Sequence, residues 1–155
     1  MAGAIDARLE ELGIELPQAA AAVANYVPYV VTGNLVFVSG QVTIENGEFK
    51  YRGKVGSDLT VEQGQEAARL CALNIIAQLK DACGGDLDRV QRIVKLGGFV
   101  NSTPDFKDQP KVINGASDLM VEVFGDKGRH ARAAVSAGSL PLGVAVEIDA
   151  VAEIS

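Results

Sequence analysis

The stretch HARAAVSAGSLPLGVAVEIDAVA, residues 130–152, decides how this chain is built. It holds two strand-like runs, 131–137 and 144–152, parted by Gly138-Ser139-Leu140-Pro141-Leu142-Gly143. Alternate side chains of a strand share a face. In the second run Val144, Val146, Ile148 and Ala150 make an apolar face, and Glu147 and Asp149 project from the other. In the first run Arg132, Ala134 and Ser136 share a face, opposite Ala131, Ala133 and Val135. Read alone, 131–152 is a hairpin that would set Arg132 beside Glu147.

Upstream, the apolar positions Val112, Ile113, Ala116, Leu119, Met120 and Val123 predict a helix over about 106–124, capped by Gly125, with Pro110 in its first turn. Residues 88–100, entered from an Asp-rich turn and closed by Pro104, suit a strand. Thr60-x-x-Gln63 is a capping box that opens the longest helix, about 61–82. Ala68, Cys71, Ile75, Leu79 and Ala82 form its predicted buried stripe, and Gly84-Gly85 ends it.

Residues 50–58 read as loop. The Val-rich segments 27–32 and 35–42 read as strands joined by Thr32-Gly33-Asn34, and Asn46-Gly47 marks a second tight turn. Ile5, Leu9 and Leu12 give a short amphipathic helix over 4–13, stopped by Gly13 and Pro17, and the alanine-rich run 19–24 fits helix or loop. The expected order is β-β-(β)-α-β-α-β-β behind an extra N-terminal helix. This is an α+β architecture, a mixed sheet with two helices on one face. With no repeat or linker visible, 1–155 reads as one domain and 1–23 as its helical extension. The other sheet face stays apolar along several strands, which predicts burial against another copy.

Fourteen basic against 20 acidic residues leave a formal charge of −6, which argues against a broad nucleic-acid surface. Cys71 and Cys83 fall on one predicted helix too far apart to bridge, and read as buried reduced thiols. One histidine is too few for a His/Cys zinc site. Asp6, Arg8, Glu10 and Glu11 do not fit a signal peptide, and no segment approaches the ~20 apolar residues of a membrane span. The cytoplasm is the expected compartment.

Few residues stand out as chemistry. Arg132 lies among small neighbours that leave room for a ligand, and a guanidinium holds a carboxylate through two parallel hydrogen bonds. The plainer reading is a surface arginine on an edge strand. Glu147 is a carboxylate on an otherwise apolar strand, where burial would raise its pKa and suit it to handle a water. The plainer reading is a solvated face with an ion pair to Arg132 or Arg129. His130, flanked by Arg129 and Arg132, reads as structural or as part of a rim. No G-x-S-x-G or phosphate-loop motif occurs.

Several segments together resemble the Rid (reactive intermediate deaminase, or YjgF) family over roughly 24–154. Asn25-Tyr26 and GNLVFVSGQ, 33–41, resemble its early tyrosine and G-N-L-x-F-x-S-G-Q strand. VKLGGFVNSTPDF, 94–106, resembles its central strand, and Asn114 falls on an asparagine of its second helix. Arg132 with Leu140-Pro141 matches R-x-x-V-x-x-x-x-L-P, and Glu147 follows in E-I-(D/E)-A. The resemblance implies a chorismate-mutase-like fold and a homotrimer with clefts between subunits, in which 131–137 and 144–152 are not neighbours. It implies hydrolysis of enamines and imines to 2-keto acids and ammonia, with no metal or organic cofactor. Arg132 would clamp the carboxylate of a small substrate and Glu147 orient the water, while Tyr26, Ser39, Gly40 and Asn114 line the cleft. The chain departs from the usual pattern at Asn25, at Ala134 and in residues 45–58, and Tyr29 competes with Tyr26. A non-catalytic carboxylate-binding or regulatory protein is the second reading. Endoribonuclease activity, attached to some relatives, fits poorly with the acidic charge and the lack of basic-aromatic interleaving.

Overall fold

A computed structural model of the chain describes residues 3–22 and 24–155. Met1, Ala2 and Val23, parts of the expected 1–23 extension, lie outside the described residues, and so does that one position of the alanine-rich run 19–24. The first helix, α1, spans Ala4–Glu11. Strands β1 (Tyr29–Thr32) and β2 (Leu35–Gln41) form a hairpin. Its two-residue turn begins with Gly33 at φ 58, a conformation that favours glycine. A small hairpin, β3 (Ile44–Glu45) and β4 (Glu48–Phe49), turns through Asn46 and Gly47, both at positive φ.

Helix α2 covers Val61–Ala82, and both hydrogen bonds of its capping box form. Strand β5 is Val90–Asn101, α3 is Gln109–Phe124, β6 is Ala131–Ala137 and β7 is Val146–Ile154. The five-stranded sheet runs β1-β2-β7-β5-β6, parallel only between β5 and β6. Helices α2 and α3 cover one face, so the α+β reading holds. Val36, Ile93, Leu96, Val146, Ile148 and Ala152 meet Ile75, Leu79, Ile113 and Met120 in a core with almost no solvent exposure. Each large aliphatic side chain buried there contributes roughly 1.5–3 kcal/mol.

The structure corrects the local reading at four points. The 131–152 hairpin of the local pattern does not form, because β5 lies between β6 and β7, the separation that the family resemblance implies. The segment Gly138–Gly143 instead carries the chain across the sheet end. Helix α3 starts at Gln109 rather than 106, because Phe106 N–H closes a turn on the Thr103 carbonyl after Pro104. Strand β7 starts at Val146, since Val144 pairs with Arg52 and Ala145 N–H donates to the Tyr51 carbonyl. Ala82, at the last turn of α2, is half-buried rather than buried.

The extension is fastened to the domain. The Asp88 carboxylate accepts from Ala4 N–H (3.0 Å) and Ile5 N–H (2.9 Å), which caps α1 where Gly3 has no side chain to do so. Those two bonds hold the Asp88 carboxyl below its ordinary value. Arg8 Nε donates to the Glu122 carbonyl at 2.8 Å, and Leu9 packs into the core. Residues 14–22 follow without regular structure, and the buried Gln78 amide donates to the Ala20 carbonyl at 2.7 Å. No helix among the described residues is long and apolar enough to cross a membrane.

Candidate functional site

The pairing of β2 with β7 shifts register between Val38 and Gln41, and this irregularity holds Ser39 and Gly40. Gly40 lies directly against Glu147. A Cβ there would sit 2.6 Å from Glu147 Oε2 and 3.0 Å from its Cδ, so any larger residue would displace the carboxylate. Ser39 N–H donates to the Pro28 carbonyl and Ser39 Oγ to the Val27 carbonyl, each at 2.8 Å. Ser39 thereby fixes the segment that carries Tyr26, and its own hydroxyl proton is already in use.

These residues surround a cleft of about 250 Å3. Tyr26, Ser39, Gly40 and Glu147 line it, with Pro141 and Leu142 on one side and Ala20 to Ala22 of the extension on another. Of the two tyrosines, Tyr26 lines this cleft and Tyr29 does not. Tyr29 donates its hydroxyl to Asp81 Oδ2 at 2.7 Å, and that hydrogen bond raises its pKa, whereas Tyr26 faces the cleft. The Pro141–Leu142 wall is held from below. Arg52 Nε donates to the Leu142 carbonyl at 2.9 Å, and Lys54 Nζ donates to the Gly138 carbonyl.

Glu147 is half-buried on the sheet face away from the helices. Burial raises its pKa, and the neighbouring Asp149 charge adds to the rise. It has no hydrogen-bond or ion-pair partner among the described residues. Arg129 pairs instead with Asp126. Beneath β7 the Cys71 thiol is fully buried, which raises its pKa strongly and leaves it inert.

Arg132 and Asn114 lie elsewhere. Arg132 projects from the edge strand β6 toward α3, the same side as the half-buried Ala134. Its Nη1 donates to Asn114 Oδ1 (2.8 Å) and to Ser117 Oγ (3.1 Å), and its Nη2 to the Pro110 carbonyl (3.3 Å). Positions 110, 114 and 117 are spaced by four and three, which sets them on one face of α3. A guanidinium has five N–H donors. Three are taken by α3, which leaves Nε–H and one Nη2–H, on adjacent nitrogens, without a partner among the described residues.

The two groups cannot meet in one chain. Arg132 is in register with Leu96, and Leu96 with Ala150, whereas Glu147 is in register with Phe99. The Cα atoms are therefore two strands and three residues apart, roughly 14 Å, with their side chains on opposite faces. Ser117, Pro110 and the Leu142 wall escaped the sequence reading. The spacing of Ser117 from Asn114 was the available signal for the first. Among the described residues no group of three or more acidic, cysteine or histidine side chains is placed to hold a metal.

A mixed sheet carrying two helices on one face, with this cleft at its β2–β7 irregularity, defines a class. The family described as "YjgF/chorismate_mutase-like, putative endoribonuclease" matches residues 6–154. The chain belongs to that family, the Rid family. It is 51% identical over 154 residues to Protein TCP17 of Trypanosoma cruzi, covering 99% of this chain and 96% of that protein. It is 53% identical to the crystal structure of Atu1372 from Agrobacterium tumefaciens, covering 97% of this chain and 92% of that one, with a TM-score of 0.92. E. coli TdcF with bound serine is more distant, at 28% identity and a TM-score of 0.65 over 92% of this chain and 98% of that one.

Proposed function

We propose that the protein hydrolyses small reactive 2-imino acids, and the enamines that tautomerise to them, to 2-keto acids and ammonia in the cytoplasm. The site is composite: Arg132 and Asn114 of one subunit face Tyr26, Ser39, Gly40 and Glu147 of another, in a homotrimer built on the open sheet face. The observation that carries this reading is the unsatisfied edge of Arg132. Its Nε–H and remaining Nη2–H match the two oxygens of a carboxylate. Serine in the TdcF crystal structure is a small carboxylate bound to a relative, in support of that ligand class.

The substrate carboxylate pairs with Arg132. The C2 of a protonated imine is already electrophilic, so the protein mainly places one water. Glu147, with no internal partner, accepts a proton from that water as its oxygen bonds to C2. Glu147 then gives that proton to the nitrogen and takes the remaining hydroxyl proton as C2=O forms and the C2–N bond breaks. Ammonia leaves, the keto acid stays behind, and the second proton is released with the ammonia as ammonium. Proximity and orientation supply the acceleration.

Ammonia and keto-acid release from freshly generated 2-iminobutanoate and 2-aminoacrylate tests the reading. Wild type is expected to exceed the uncatalysed rate, with the excess gone in both Arg132→Ala and Glu147→Gln. Activity that survives Arg132→Ala removes the clamp. A folded oligomer that binds small carboxylates but turns over neither substrate favours the ligand-binding reading instead.

A further inference from the structure

His130 and Ser117 lie outside the cleft but extend the bond set around Arg132. His130 Nδ1 is 2.6 Å from the Gly128 carbonyl oxygen, and His130 Nε2 is 2.9 Å from Ser117 Oγ. A carbonyl oxygen can only accept, so Nδ1 carries a proton and donates it. In the neutral ring Nε2 is then an acceptor, and the Ser117 hydroxyl proton points to it. The Ser117 oxygen is left with lone pairs for Arg132 Nη1, which has only protons to offer. Every bond from Arg132 through Ser117 and His130 to the Gly128 carbonyl therefore runs in one direction.

We infer that Ser117 and His130 are positioning residues for Arg132. Together with Asn114 they occupy both protons of Nη1. The guanidinium is planar, so a fixed Nη1 fixes the whole fork and turns the Nε–Nη2 edge outward. Without Ser117, only the Asn114 bond on Nη1 and the longer Pro110 bond on Nη2 would hold the plane, which leaves it looser. The inference rests on the reading of Arg132 as the carboxylate clamp. If His130 merely filled space, a ring without an acceptor would serve as well.

The test compares Ser117→Ala, His130→Phe and His130→Gln with wild type in two independent readouts. The first is KM against kcat on 2-iminobutanoate. Ser117→Ala and His130→Phe are expected to raise KM about threefold to tenfold with kcat within about twofold, because ground-state and transition-state binding lose the same support. His130→Gln, whose amide oxygen can replace Nε2, is expected to restore most of the loss. The second readout is 15N NMR at neutral pH. It is expected to show His130 protonated at Nδ1, and faster exchange of the Arg132 Nη protons in Ser117→Ala and His130→Phe.

A ring protonated at Nε2 instead would overturn the inference. So would an unchanged KM together with unchanged Arg132 signals in both variants. If wild type itself turns over no imine, the deamination reading falls, and the tautomer and the Arg132 exchange still decide the relay without turnover.

Discussion

Glu147 is set by its neighbours at atomic range. Gly40 supplies the space for its carboxylate, and burial with the Asp149 charge raises its pKa. Gly40→Ala adds a Cβ 2.6 Å from Oε2, at a backbone conformation that any residue tolerates. The fold should survive while kcat/KM for imine hydrolysis falls about tenfold to a hundredfold, since small misplacements of a reacting group are costly. Steady-state kinetics beside a thermal melt separates the two effects. The raised pKa has a stability consequence with a definite sign. Below the ordinary glutamate value, about 4.3, Glu147 is protonated in both folded and unfolded chains. As pH rises through its higher folded value, the fold loses the advantage of the protonated form. Glu147→Gln should therefore melt about 1–2 °C above wild type at neutral pH, a small gain because the group is half-exposed. The gain should vanish near pH 4, as paired melts across pH would show. Glu147 and Arg132 were legible as candidates from side-chain alternation and motif. The turn of Tyr29 toward Asp81 was not, because that partner lies 52 positions away.

At the scale of elements, local chemistry was the most readable. The Thr60–Gln63 capping box and Gly84-Gly85 bound α2 at the residues where its helix begins and ends. The start of α3 was less so, because Asp108 makes no side-chain cap and the boundary is set by the Thr103–Phe106 turn. The contact between the two helices was not legible at all. Gly115 lies so close to the Gln65 backbone carbonyl that a Cβ would overlap it. Alanine gains about 1 kcal/mol over glycine in a helix interior. Overpacking costs about 1–3 kcal/mol, and backbone yields less than a flexible side chain. The clash should win, so Gly115→Ala is expected to destabilise by about 1–2 kcal/mol in urea unfolding, despite its better helix propensity. Because α3 carries Asn114 and Ser117, the same change should also loosen Arg132.

For the whole molecule, the position of β5 between β6 and β7 governs everything proposed for the site. A strand-helix-strand unit pairs its strands in parallel through a crossover, and β5-α3-β6 is such a unit. That signal was present in the order of elements, but the short 138–143 connection favoured a hairpin, and pairing between distant strands has no local signature. The outcome separates Arg132 from Glu147 by face as well as by distance. It also leaves Val30, Phe37, Phe99 and Val135 between 37% and 50% exposed on the uncovered face. Such a face suits contact with further copies, which is the arrangement the proposed composite site requires.

Mixing the two inactive variants tests that claim most directly. Arg132→Ala and Glu147→Gln subunits, unfolded together in equal amounts and refolded, form mixed oligomers in which some clefts receive an intact Arg132 from one subunit and an intact Glu147 from the next. Random assembly predicts recovery of about a quarter of wild-type deaminase activity, since each cleft needs one particular variant on each side. No recovery from demonstrably mixed oligomers would contradict the composite site.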